Sequence, residues 1–338
     1  MIDFRSDTVT KPSQAMLEAM IQAPVGDDVF GEDPTINALE NYAANMFGME
    51  AGLYCSSGTM TNQIAIKAHT QPGDEIICDV MSHIYQYEGG GIGFNSSCSV
   101  KLINGNRGRM TASQVAESIN NIHDVHKPIS KLVSLENTAN RGGGSCYNFD
   151  DIKAIQQVCT NNQLLFHLDG ARLFNAIVAN NERTEQYGKA FDSISICLSK
   201  GLGAPVGSVL LGNKSFIQKA RRIRKVFGGG MRQAGIIAAA GLYALQNNID
   251  RLAQDHHHAQ LITQALQQKD FIGEILPVET NIIIFEVKGK YTAQQFVEKL
   301  KEENILAIAI SPSQVRIVVH LDITENMVQK TIDVIKSF

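Results

Sequence analysis

The chain has no surplus of positive charge: 30 Lys and Arg stand against 34 Asp and Glu, a net charge of -4 at pH 7. A polyanionic partner such as nucleic acid needs a basic face, so none is expected. No apolar run approaches the roughly 20 residues that span a bilayer. The opening Met1-Ile2-Asp3-Phe4-Arg5-Ser6-Asp7 lacks the apolar core of a signal peptide, and a cytoplasmic protein is expected. The six cysteines, Cys55, Cys78, Cys98, Cys146, Cys159 and Cys197, include neither a C-x-x-C pair nor zinc-ligand spacing. They read as free thiols, and no disulfide or metal site is expected. What is present is an ordinary globular composition, 44% hydrophobic and 19% charged, in 338 residues. That length suits two domains or one large α/β domain.

The most informative stretch is SISICLSKGLGAPVGSVLLGN, Ser193 to Asn213. Ser193 to Leu198 reads as one short strand and Ser208 to Leu211 as another. Between them Gly201, Gly203, Pro205 and Gly207 forbid a helix, so Lys200 sits on a tight glycine loop that lets another molecule come close. Upstream, LLFHLDGARLFNA gives an apolar strand, Leu164 to Leu168, that ends in Asp169, with Arg172 three residues on. An acid, an arginine and a lysine at the ends of such strands lie where open α/β sheets bind ligands. The trio suits pyridoxal phosphate. The lysine can form a Schiff base with the aldehyde, the carboxylate can keep the pyridine nitrogen protonated, and the arginine can serve the phenolic oxygen or a substrate carboxylate.

Other segments are less specific. SSGT lies between a strand, Ala51 to Cys55, and a helix from about Met60, so free N–H groups at Gly58 and Thr59 face any anion placed there. His83, among the tyrosines of VMSHIYQYEGGG, reads by itself as a structural group, and His123 and His126 read as solvated loop residues. KARRIRKVFGGGMRQAG reads as a basic helix face broken at Gly228 to Gly230, after which Arg232 opens a helix from Gln233 to Gln246. Residues 1 to 36 show one helix, capped by Ser13, and otherwise read as loop; His256 to His258 read as helical and on the surface. From about Asp270 strands and helices alternate into an α+β unit. There Arg316 opens an apolar strand, where an unpaired charge is expensive.

In chain order, DFRSDTVTKPS, PVGDDVFGEDPT, SSGTMTNQIA, SHIYQYEGGG, SLENT, HLDGARLFNA, LSKGLGAPVGS and GGGMRQAGIIAAAGLYAL run nearly end to end. Together they resemble the low-specificity L-threonine aldolases, in the aminotransferase-like superfamily of pyridoxal-phosphate enzymes called fold type I. The resemblance implies a large α/β domain with a mostly parallel sheet, residues 1–250 with an N-terminal arm, and a small C-terminal α+β domain, residues 251–338. It implies that Lys200, with Ser199 beside it, carries pyridoxal 5'-phosphate, that His83 stacks on the ring and that Asp169 serves the ring nitrogen. Gly58 and Thr59 would hold the phosphate, with Arg232 near it at the dimer interface, Arg172 would serve cofactor or substrate, and Ser6 and Arg316 would bind the substrate carboxylate. His126 matches a family histidine near the substrate hydroxyl, and the base is left open between His83, His126 and a water. The activity implied is cleavage of L-threonine and L-allo-threonine to glycine and acetaldehyde by a homo-oligomer, expected as a tetramer of two dimers. The chain departs from the family at Ala139, where SLENTHN has a histidine, and at the run Gly142 to Gly144.

Another fold type I enzyme, a β-eliminating lyase or an aminotransferase, would share the cofactor half. A nucleotide-binding protein is the alternative from another class, since GLGAPVG approaches the dinucleotide fingerprint; but a strand follows it and Pro205 lies within it. A catalytically dead homologue is disfavoured by the presence of Lys200, Asp169, Arg172 and Arg316.

Overall fold

The computed structural model describes all residues, 1–338. The chain opens with a two-residue strand, β1 (Ile2–Asp3). The central sheet is built from β2 (Ala51–Cys55), β3 (Glu75–Asp79), β4 (Ser99–Ile103), β5 (Ser130–Glu136), β6 (Leu165–Gly170), β7 (Ser193–Cys197) and β8 (Ser208–Gly212). Their order is β2-β8-β7-β6-β5-β3-β4. Only β8 runs against its neighbours; the remaining pairings are parallel. Every residue of β3, β7 and β8 is buried, the pattern of strands covered by helices on both faces. The expected mostly parallel α/β sheet is therefore present.

The covering helices begin and end where local chemistry dictates. Helix Pro34–Phe47 starts with proline in its first turn behind Asp33, whose carboxylate accepts from the Thr35 and Ile36 N–H groups, and it stops at left-handed Gly48. Helix Gly58–His69 is capped by Ser57, which accepts from the Met60 N–H, and so begins two residues before the expected Met60.

A second unit follows helix Leu252–Leu266: β9 (Ile272–Ile275), β10 (Ile282–Val287), β11 (Ile305–Leu306), β12 (Ile308–Ala309) and β13 (Gln314–Val318). Four of these form an antiparallel sheet in the order β12-β13-β10-β9. Its core joins Phe285 and Phe296 to Ile262 and Ile335, and also to Ile2 and Phe4. The amino-terminal arm is therefore not only loop. β1 pairs in parallel with β11, and this places Ile2 and Phe4 with the carboxyl-terminal unit rather than with the large one. A two-residue strand has no periodicity, and its partner lies some 300 residues away, so nothing local announces it.

One further expectation is corrected. His256 and His258 are buried and only His257 faces outward; His256 Nε2 lies 3.0 Å from Asn175 Oδ1, because helix Leu252–Leu266 packs on helix Leu173–Asn180. Arg224, on the basic helix Lys214–Val226, is paired with an acid. It is 2% exposed and donates to Asp28 (2.7 Å) and to the Tyr54 carbonyl (2.6 Å). No helix is long and apolar enough to cross a membrane.

Phe4 is fully buried where the arm joins the small unit. Phe4→Ala should therefore cost about 3 to 5 kcal/mol, the usual range for truncating a core phenylalanine. Chemical denaturation of the variant checks this, and a loss under about 1 kcal/mol would show that the arm is not docked.

Candidate active site

The parallel strands end at one edge of the sheet, and the segments that follow them meet there. β7 and β8 are joined by the loop that carries Lys200, with the Leu198 N–H on the Gly207 carbonyl at 3.0 Å and the Gly203 N–H on the Lys200 carbonyl at 2.8 Å. Gly207 has φ +116°, and a Cβ there would sit 2.5 Å from the Tyr54 ring, so only glycine fits this turn. The Lys200 carbonyl also accepts from Thr10 Oγ1 at 3.0 Å, which ties the loop to the amino-terminal arm. Ser199, half-buried, has its hydroxyl 3.4 Å from Cys197 Sγ.

Asp169 closes β6 and is buried. Its Oδ1 accepts from the Ala171 N–H and its Oδ2 from Asn62 Nδ2 at 2.9 Å. The same Asn62 nitrogen donates to Glu88 Oε1 at 2.9 Å, and Glu88 Oε1 lies 3.0 Å from His83 Nδ1. Carboxylates only accept, so Asn62 must present its NH₂ to them and its oxygen to His167 Nε2, 3.2 Å away. His167 Nδ1 is then an acceptor for the Ser193 hydroxyl at 2.8 Å, and that hydroxyl accepts from His69 Nε2 at 2.7 Å. A buried chain of donors thus ends on Asp169 and Glu88. Burial pushes His167 down to about 4, which keeps it neutral, as this arrangement requires. Burial also opposes charge on His83, but the Glu88 hydrogen bond and the Asp169 charge outweigh it and raise its pKa.

A third carboxylate, Glu136 at the end of β5, lies beside Asp169 in register. Its oxygens take the His83 N–H at 2.7 Å and the Asn140 N–H at 2.9 Å. Burial first, and the Asp169 charge second, push it up to about 7.

Arg172 is buried and gripped by Asp7, with Nε and Nη2 each 2.7 Å from a carboxylate oxygen. Burial opposes ionisation of Asp7, but the Arg172 charge wins and lowers its pKa. Arg172 Nη1 points to Asn140 Oδ1 at 3.3 Å, and Arg316 Nη1, from β13, reaches the same oxygen at 3.4 Å. Arg316 Nη2 donates to the Arg5 carbonyl, next to Ser6, while its buried Nε has no partner. Two guanidiniums sharing one amide oxygen, with a buried N–H to spare, leave hydrogen-bonding capacity for an anion.

A pyridoxal phosphate fits these residues. The phosphate has a cradle at the start of helix Gly58–His69, where the first-turn N–H groups have no helical partner and the Ser208 hydroxyl is buried and unpartnered 3.5 Å from where a Gly58 Cβ would sit. Thr59 is exposed at the same helix start. Asp169 supplies the acceptor that a pyridinium N–H needs, and Lys200 the amine.

Lys200, Asp169, Arg172, Arg316, Ser6, His83, Gly58 and Thr59 thus belong to one edge of the sheet. His126 does not. It lies on the loop before β5, at the opposite edge, a strand length or roughly 20 Å away, and it is exposed and paired with Asp124 at 3.0 Å. Arg232 is also apart, mostly exposed and bound to Asp27 at 2.8 Å. Within one chain neither reaches this edge; Arg232 is expected there only across a dimer interface. The sequence reading missed Asp7, Asn62, Glu88, Glu136 and Asn140. Their partners lie as far as 274 residues away, and the only available signal was their place in the same strings as the recognised residues.

For His167 the folded pKa of about 4 lies below the ordinary 6.5. The unfolded chain then binds a proton that the folded chain refuses. Stability is full above about pH 6.5 and falls toward pH 4, by up to about 3 kcal/mol from this residue. Urea denaturation between pH 7.5 and 5 should show a flatter pH slope for His167→Gln than for the parent. Equal slopes would mean that His167 does not carry this linkage.

A family described as β-eliminating lyase matches residues 3–290. A low-specificity L-threonine aldolase of Escherichia coli is 44% identical over 96% of this chain and 95% of its own length. One from Arabidopsis thaliana is 41% identical over 98% and 94%. Among solved structures, a Leishmania major threonine aldolase superposes with a TM-score of 0.86 at 19% identity, covering 100% of this chain and 99% of the other, which shows the same fold. With this fold, these relatives and a lysine, aspartate and arginine pair gathered at one sheet edge, the chain belongs to the low-specificity L-threonine aldolase family of fold type I enzymes.

Proposed function

We propose that the protein uses pyridoxal 5'-phosphate, held at Lys200, Asp169 and the Gly58–Thr59 helix start, to cleave L-threonine and L-allo-threonine into glycine and acetaldehyde. The observation that carries this reading is the convergence of Arg172 and Arg316 on Asn140 Oδ1, on the edge that also holds Lys200 and Asp169. When bound, the cofactor supplies an electron sink for the pair released as the Cα–Cβ bond breaks. The chain does the rest. Arg316 and Arg172, with Ser6 beside them, fix the α-carboxylate. Asp169, which accepts from the Asn62 and Ala171 N–H groups, would accept from a protonated ring nitrogen. His83 has Nδ1 on Glu88, which leaves Nε2 to handle the hydroxyl proton, directly or through a water.

Cytoplasmic location and a homotetramer made of two dimers belong to the same proposal. Large apolar side chains stand out of the chain, Ile21 at 84%, Phe94 at 89% and Val226 at 80% exposed, which supports burial against further copies. His126 and Arg232 can serve a site only across such an interface.

Purified protein should be yellow and should release glycine and acetaldehyde from L-threonine, whereas Lys200→Ala should lose turnover and covalent cofactor attachment while staying folded. Borohydride labelling of a different lysine in the parent would overturn the assignment. Because the arginines, Lys200 and the ring fix three directions at Cα, both L-diastereomers should react within about tenfold of each other and the D-forms should not. Specificity constants for the four stereoisomers check this; a preference of several orders of magnitude for one L-form would show that a single group reads Cβ.

A further inference from the structure

Arg172, Arg107, Arg316 and Arg141 stand around the start of the segment after β5, and their charges are not all used. Arg172 is neutralised by Asp7, and Arg107 donates to Glu279 at 2.5 Å. Arg316 and Arg141 have no carboxylate partner. A substrate α-carboxylate uses one of these two charges, which leaves a second cationic group without a task. Glu136 does not serve it, because its two oxygens are taken by the backbone N–H groups of His83 and Asn140.

Arg141 lines a cavity of about 520 Å³ between the two units. Its guanidinium lies over Tyr87, 5.3 Å from the ring centroid, and the Tyr87 ring is 5.7 Å from that of His83. Tyr87 thus forms a wall between the cavity and the histidine that faces the reaction. Its other walls are mainly apolar: Val80 and Met81 from the large unit, Leu276, Ile284 and Ile310 from the small one. Threonine's methyl group occupies a small part of such a volume.

The loop that aims Arg141 is the segment where the sequence departs from its family. A Cβ on Gly142 would fall 2.0 Å from the Arg107 carbonyl oxygen, and Arg107 Nε in turn donates to the Gly142 carbonyl at 2.9 Å. Ala139 packs closely on Gly108, where a Cβ would come within 2.7 Å of it, so a histidine at 139 would displace this contact. Pressed against residues 107 and 108, the loop leaves the Arg141 side chain over Tyr87 and toward the cavity.

The geometry points to a substrate class: β-hydroxy-α-amino acids whose side chain has an apolar or aromatic body ending in a carboxylate, the body filling the cavity and the anion meeting Arg141. This rests on the proposed aldol cleavage and extends it. The chemistry is unchanged. The Cα–Cβ bond breaks, the β-hydroxyl gives up its proton and becomes an aldehyde that carries the second carboxylate, and Cα takes a proton to give glycine. No oxidant or reductant is needed.

The test uses the holoenzyme with L-threonine, L-β-phenylserine and L-β-(4-carboxyphenyl)serine, in the parent and in Arg141→Gln. In the parent, kcat/KM for the carboxylated compound should exceed that for phenylserine by at least about tenfold, chiefly through KM. A charge-assisted hydrogen bond supports a difference of that size. In Arg141→Gln the ratio should fall to about one. A parent ratio of one or less, a ratio unchanged by the substitution, or turnover of threonine with neither aryl compound accepted would each overturn the inference. Failure to cleave threonine at all would instead sink the aldolase reading, so the two outcomes are distinguishable.

Discussion

The buried ion pair between Asp7 and Arg172 is the constraint on which the site depends. It joins the amino-terminal arm to the end of β6 and leaves one Arg172 nitrogen for Asn140. Two charges removed from water cost several kcal/mol each unless their geometry is good, and here both Asp7 oxygens meet the guanidinium at 2.7 Å. Such a pair adds little net stability. It does fix position, because the loss of either partner would strand a buried charge. The arm reaches it from β1, which is anchored in the small unit, so the ion pair also sets how the carboxylate clamp, with Arg316 on β13, meets the edge that carries Lys200.

The second organising feature is an excess of buried acid. Asp169, Glu88 and Glu136 lie around one spot, supplied with N–H donors from amides and backbone, and only Glu88 also meets a histidine, His83. Asn62 serves two of them with one amide, and its orientation is set from behind by His167, Ser193 and His69. A site of this kind is electrically incomplete without a positive group at its centre. A protonated pyridine nitrogen would be such a group.

Much of this was legible from residues alone. The glycine loop between two short strands located Lys200, because only glycine admits the φ of +116° at Gly207. Strand β2 was readable from its apolar run, which is local chemistry. His256 and His258 were misread for the converse reason. A polar triplet on a helix reads as surface unless the helix packed over it is known.

The sequence by itself determined the short strands around the site, the lysine and the acid, because these depend on short spacings and on residue types that few other positions accept, and the resemblance of its strings supplied the family and its mostly parallel sheet. Only the tertiary structure decided that Asp7 holds Arg172, that Asn62 serves two carboxylates, that His126 and Arg232 lie away from this chain's own site, and that Arg141 faces a cavity. Each of these is a contact between segments far apart in the chain, and no local pattern encodes it: the partners are selected by how sheet, arm and small unit pack, and by the cost of leaving any buried polar group without a partner.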